Sequence, residues 1–124
     1  MSLRFTIPGE ALSLNNAYRS FVVRGRPRRA LTAEGKAFKG HASAHVRVLG
    51  RRPPAGHRLR VTLDLYGRWD TLAGEPLRRD IDNHAKLVLD ALCAELGIDD
   101  RWIRRLEIEA IHDPTPRIEV TVRW

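Results

Sequence analysis

Cysteine is nearly absent from this chain: its 124 residues contain one, Cys93. A single thiol excludes an intramolecular disulfide and a cysteine-based zinc site. Cys93 falls inside an apolar helical pattern and reads as a small buried hydrophobe. Long apolar runs are missing too, and nothing approaches the ~18 uninterrupted apolar residues that span a bilayer. The opening MSLRFTIPGE has no signal-peptide core. We therefore expect a cytoplasmic protein with no membrane association. Repeats, low-complexity tracts and linkers are lacking, so residues 1–124 are expected to form one domain.

Acidic residues are scarce in the first half. Residues 1–60 hold 13 Lys/Arg against 2 Asp/Glu, whereas residues 61–124 hold 9 against 13. The balances of +11 and −4 sum to the net charge of +7. Such a basic half implies a polyanionic partner, above all nucleic acid. Arginine dominates it, and the guanidinium fork matches phosphate geometry. Hydrophobic residues make up 43%, too many for a disordered chain.

Hydrophobic periodicity organises the rest. Leu3, Phe5 and Ile7 alternate with polar residues as a short strand. SLNNAYR (13–19) reads as a loop, Phe21-Val22-Val23 as a short strand, and RGRPRR (24–29) as an exposed basic loop carrying Arg24, Arg26, Arg28 and Arg29. Thr32 can cap a helix whose face is Phe38, Ala42, His45, Val46 and Leu49, ended by Gly50. His41 and His45 have metal-ligand spacing but no third ligand nearby. Leu59, Val61, Leu63 and Leu65 alternate in a half-buried strand. A polar loop follows (67–76). Ala85, Val88, Leu89, Leu92 and Leu96 then form the stripe of a second helix, closed by Gly97. Leu106, Ile108 and Ala110 mark a strand, and Ile118, Val120, Val122 and Trp124 a last one. The last two strands, joined at Asp113–Pro116, are expected to pair as an antiparallel hairpin. The fold expected is α/β (α+β): a mixed sheet packed with two main helices.

The informative stretch is RRDIDNHAK (78–86). Asp82 sits where an N-cap belongs, a role worth about 1 kcal/mol. Capping does not explain Asp80, nor the second acidic pair, Asp99 and Asp100, past the helix's far end. Carboxylates gathered in a basic protein repel DNA unless a cation stands between them. Mg²⁺ suits that position, because it takes oxygen ligands and bridges to substrate phosphate. At 100° per residue, Asp82, Lys86 and Asp90 fall at about 0°, 40° and 80°, along one edge of the helix beside its apolar stripe. Lys86 can reach whatever Asp82 binds, or form an i, i+4 ion pair with Asp82 or Asp90 worth only ~0.2–0.5 kcal/mol. Asn83 can bind a phosphate or cap the helix. Arg78 and Arg79 offset the acidic charge and can contact phosphate oxygens.

The motif RDIDNHAKLVLDAL (79–92), followed by GIDD (97–100), resembles the RusA family of Holliday junction resolvases. SLNNAYR (13–19) and LTAEGKAF (31–38) are similar to the family's upstream loop and helix start. Prolines common before that loop are replaced by Gly9-Glu10-Ala11-Leu12. The resemblance implies a small homodimeric endonuclease that cuts four-way DNA junctions with Mg²⁺ or Mn²⁺, in recombination and repair. It implies that the metal-binding carboxylates are Asp80, Asp82 and Asp100, with Asp99 the alternative to the third, and that Lys86 is the essential lysine. Expected DNA contacts are Asn15, Asn16, Arg19, Arg24, Arg26, Arg28, Arg29, Arg79 and Asn83. Two rival readings fit the same residues: a non-catalytic nucleic-acid-binding module whose acidic patch is solvated surface, and a metal nuclease preferring flaps or forks.

Overall fold

A computed structural model describes all 124 residues. The elements are strand β1 (Ser2–Pro8), a one-turn helix α1 (Leu14–Ala17), strands β2 (Tyr18–Val23) and β3 (Arg26–Leu31), and helix α2 (Ala33–Arg47). They continue with strand β4 (Leu59–Gly67), helix α3 (Ile81–Leu96), a 3₁₀ turn (Asp100–Trp102) and strands β5 (Ile103–His112) and β6 (Arg117–Arg123). The result is a small α+β domain: a mixed four-stranded sheet in the order β1-β6-β4-β5, and a separate β2-β3 ribbon.

Strict alternation makes the core. Leu59, Val61, Leu63 and Leu65 of β4 and Ile118, Val120 and Val122 of β6 turn to one face of the sheet and are buried. Ala42 and Val46 of α2 and Ala85, Val88, Ala91, Leu92 and Leu96 of α3 join them in one cluster. Each fully buried leucine or valine contributes about 1.5–3 kcal/mol, so truncating Leu63 to alanine would cost ~2–5 kcal/mol.

The expected hairpin of the last two strands is not formed. β6 lies between β1 and β4, antiparallel to both, while β5 runs parallel to β4 on its other side. Burial explains the order. Every inward side chain of β6 is buried, which suits a central strand, whereas Leu106 of β5 is 42% exposed, which suits an edge. The chain crosses the end of β4 between them, where the Asp113 amide donates to the Gly67 carbonyl at 2.9 Å. Helix α3 is thus the crossover of a β4–α3–β5 unit, the connection a parallel pair requires.

RGRPRR is also more ordered than a loop. Only Arg24 and Gly25 turn, both with positive φ (51° and 73°). This is the pattern of a tight two-residue hairpin connection, and Arg26–Leu31 pair with β2. Likewise SLNN contains the single turn of α1, capped by Ser13. Thr32 caps α2 as expected, accepting from the Gly35 amide at 3.1 Å. Gly97 ends α3 in the left-handed conformation (φ 65°), and the Ile98 amide reaches back to the Cys93 carbonyl at 2.9 Å.

Candidate active site at the mouth of helix α3

The cap of α3 is two residues earlier than expected. Asp80, not Asp82, is the N-cap residue, and its carboxylate makes no cap hydrogen bond to the helix. Asp82 lies in the first turn, where a negative charge is favourable beside the helix amides. The shift leaves the Asp80 carboxylate turned outward, touched by the Asn83 amide nitrogen at 3.3 Å. Asn83 therefore neither caps the helix nor lies apart from the acidic pair.

Asp80 opens onto a cleft of about 420 Å³. Asn15, Asn16, Arg78 and Asn83 share its walls with Glu10, Arg79 and His84. Two distant stretches, SLNN and RRDIDN, thus meet. The meeting depends on close packing behind it. Ala17 at the end of α1 is fully buried, and a Cβ on Gly35 would come within 2.4 Å of its carbonyl oxygen. The Thr32 hydroxyl donates to the Asn16 carbonyl at 2.8 Å, tying α1 to the start of α2.

Arg79 is a clamp rather than a free cation. Its guanidinium donates to Glu10 at 2.8 Å and to the Arg68 carbonyl, and lies over the Trp69 ring at 4.5 Å. Glu10 and His84 were not expected from the motif. The Glu10 carboxylate also accepts from the Arg68 amide at 3.1 Å. Burial pushes its pKa up, but the hydrogen bonds from Arg79 and Arg68 and the Arg79 charge outweigh that, holding it below the usual carboxylate value. His84 is buried, with Nδ1 2.7 Å from the Asp80 carbonyl oxygen, and packs edge-on against Trp69 at 5.2 Å. One sequence signal was available for Glu10: it is the only acidic residue before Glu34. Arg78 is exposed and has no ion-pair partner.

Lys86 pairs with Asp90 at 2.9 Å, one of the two i, i+4 partners considered. That hydrogen bond, opposed by some burial and helped by the charges of Asp90 and Asp100, raises its pKa. Lys86 is accordingly a protonated donor and not a base at neutral pH. The Cys93 thiol is raised by burial first and then by Asp100 and Asp90, so it stays neutral.

Asp99 and Asp100 separate cleanly. Asp99 caps the 3₁₀ turn, accepting from the Arg101 amide at 3.0 Å, and faces the Arg101 side chain at 3.7 Å. Asp100 has no such commitment. Asp80, Asp82 and Asp100 are all exposed, and none is in an ion pair. Within one chain no three acidic, histidine or cysteine side chains come close enough to hold a metal ion. The 16 residues of α3 put ~24 Å between its ends at ~1.5 Å per residue. Asp80 and Asp82 lie at its N-terminal end, and Asp100 follows its C-terminal end in the chain, close enough for its charge to act on Lys86 and Cys93. His41 and His45 are engaged otherwise, lying 2.6 Å from the Pro8 carbonyl and 2.9 Å from the His41 carbonyl.

The remaining expected DNA contacts fall on the β2-β3 ribbon. Arg19, Arg24, Arg26, Arg28 and Arg29 are exposed there, with Arg29 over the Tyr18 ring at 4.5 Å. Phe21, Val22 and Val23 are exposed beside them.

A cleft that sets the Asp80 carboxylate among amides and arginines, on a chain of net positive charge, suits a phosphate-bearing ligand. The family comparison makes the class specific. Residues 8–123 match the family model described as endodeoxyribonuclease RusA, and the chain belongs to that family. It is a nuclease, a hydrolase whose substrate is DNA. No curated protein is similar enough to add a relative to this comparison. No helix is long and apolar enough to cross a membrane.

Proposed function

We propose that this chain is a Mg²⁺-dependent, structure-selective endonuclease that resolves Holliday junctions by paired phosphodiester hydrolysis, acting in the cytoplasm in recombination and repair. The observation that carries the reading is the set of carboxylates outside any ion pair, Asp80, Asp82 and Asp100, left exposed in a chain whose other surface charge is mostly arginine. Their donor chemistry fits the ion. Mg²⁺ takes hard oxygen ligands, keeps several waters, and is usually held by one or two carboxylates plus substrate phosphate. When bound, Mg²⁺ or Mn²⁺ would lower the pKa of a water and stabilise charge on the phosphodiester oxygens. Asp99 is engaged by its own turn, which favours Asp100 as the third ligand.

The chain's own groups have separable tasks. Asn15, Asn16 and Arg78 can grip the sugar–phosphate backbone in the cleft. Arg79, locked by Glu10 and Trp69, supports the Asp80 end of the wall. Lys86 supplies a fixed positive charge and N–H donors to the phosphate as negative charge develops in the transition state.

The distance between the two ends of α3 supports a homodimer. If two copies pair with their α3 helices antiparallel, the N-terminal end of one helix meets the C-terminal end of the other. Asp80 and Asp82 of one copy then approach the partner's Asp100, and two equivalent sites result. The half-buried Ile108 and Ala110 and the exposed Leu106 on edge strand β5 offer apolar surface for such pairing. A four-way junction has approximate two-fold symmetry, which a C2 dimer would match.

The test is cleavage of matched four-way, flap and linear DNA with Mg²⁺, alongside sedimentation equilibrium without DNA. Paired symmetric cuts in the four-way substrate by a dimer are expected. Preference for flaps or forks would reassign the substrate, and binding without cleavage of any DNA would leave only a binding module. A monomer that still makes paired symmetric cuts would overturn the shared site.

A further inference from the structure

The outer face of the sheet, away from α2 and α3, carries its charges in rows. At one end Arg60 of β4 stands directly opposite Arg105 of β5 and Arg123 of β6. Like charges directly opposed on neighbouring strands are destabilising. Arg58, Arg104, Met1, Leu59 and Trp124 complete the lining of a cleft of about 550 Å³ around them. Of these five arginines only Arg105 has a carboxylate partner, Glu107 at 2.7 Å.

Acidic groups that could relieve this crowding exist but are placed elsewhere. Asp64 faces Glu119 on one side and Glu109 on the other, in a row of their own. Burial, then the charges of Glu109 and Glu119, push the Asp64 carboxyl above its usual value, although Arg4 opposes them. A face that merely needed neutral balance would gain more from interleaving the two rows, because opposite charges stabilise cross-strand pairs. Segregation leaves four guanidinium groups without an internal partner in one concave site.

We propose that this cleft is a second DNA-contact surface, in which Arg58, Arg60, Arg104 and Arg123 hold consecutive phosphates of a duplex arm. The inference rests on the DNA-cleaving reading above and extends it. The cleft begins where β4 begins, at Leu59, whereas the Glu10–Arg79 clamp lies beside Gly67 at the strand's other end. Within one chain the two surfaces are therefore distinct. Guanidinium forks bind phosphate bidentately, and the ~4.8 Å between adjacent strands spreads the arginine row over about 10 Å. Contacts of this kind carry no base sequence and serve position and affinity.

The test uses the full chain with Arg60→Ala and Arg123→Ala together, titrated with a labelled linear duplex and a four-way junction over a range of salt without divalent metal. A control variant, Arg47→Ala with Arg51→Ala, removes the same charge elsewhere. Loss of two phosphate contacts should flatten the slope of log affinity against log salt by about 1.8 and weaken binding about tenfold at moderate salt. The control should change the slope less than half as much. The melting temperature of the Arg60/Arg123 variant should hold or rise, since repulsion is relieved. An unchanged slope overturns the proposal, as does a slope change equal to the control's. A change in oligomeric state with unaltered DNA affinity would make this face a contact between copies, its arginine row against the partner's carboxylate row, and would also overturn it. Wild-type protein that cuts DNA while the variant binds normally would defeat this inference alone; wild-type protein that binds no DNA would defeat both.

Discussion

Replacing Glu10 by glutamine isolates one charge at the wall of the candidate active site. Glutamine keeps the size of the side chain and a carbonyl oxygen. It can therefore still accept from the Arg79 guanidinium and the Arg68 amide, which Glu10 meets at 2.8 and 3.1 Å. What is lost is the charge. The pair is partly exposed, with side-chain exposures of 41% for Glu10 and 21% for Arg79, so solvent screens it. Exposed pairs are worth ~0.2–1 kcal/mol. Charge assistance roughly doubles a hydrogen bond of about 1 kcal/mol. We expect a loss near 1 kcal/mol at pH 7, or about 3–5 °C in melting temperature for a domain of this size.

The sign of the pH dependence follows from the lowered pKa of Glu10. A carboxyl whose folded pKa lies below its unfolded value stabilises the fold above the unfolded pKa, and the contribution fades as pH falls through the folded pKa. Melting curves of both proteins should thus differ at pH 7 and converge at pH values well below the ordinary glutamate range, where residue 10 is neutral in both. An equal difference at both ends would mean that the substitution acts through packing. No difference at pH 7 would mean that the Trp69 ring and the Arg68 carbonyl alone hold Arg79.

Other substitutions separate fold from chemistry. Asp82→Asn should cut the cleavage rate by at least 100-fold while costing only ~0.3–1 kcal/mol of helix-end electrostatics, read by single-turnover assay and thermal melting; near wild-type cleavage would remove Asp82 from the site. Asp100→Asn should inactivate, whereas Asp99→Asn should leave both cleavage and melting temperature nearly unchanged, because asparagine caps about as well as aspartate and can still accept from the Arg101 amide; the reverse pattern in the cleavage assay would transfer the ligand role to Asp99. Arg26→Ala with Arg28→Ala should weaken binding to every DNA shape and flatten the salt slope by about 1 per lost phosphate contact; an unchanged slope would make the β2-β3 ribbon solvated surface. Gly35→Ala should destabilise the junction of α1 and α2, because its Cβ would meet the Ala17 carbonyl oxygen at 2.4 Å, and a melting temperature equal to wild type would show that α1 can move aside.

Much of the frame was legible because periodicity and caps are local. Thr32, Gly97 and the alternation of Leu59, Val61, Leu63 and Leu65 each announce their element within a few residues. Strand order is not local. Leu106, Ile108 and Ala110 alternate just as Ile118, Val120 and Val122 do, and only competition for the sheet centre decides that β6 is inserted and β5 becomes a parallel edge. The acidic motif was legible as chemistry but not as geometry. Residue spacing put Asp82 at the cap; the backbone chose Asp80 and freed both carboxylates from capping duty. Glu10, 69 residues from Arg79 in sequence, is found beside it only because β1 and β4 end at the same side of the sheet. Within one chain no three acidic, histidine or cysteine side chains gather closely enough to hold an ion. If Asp80 and Asp82 share one metal with Asp100 of the partner subunit, as proposed, cleavage should depend on protein concentration as dimerisation does.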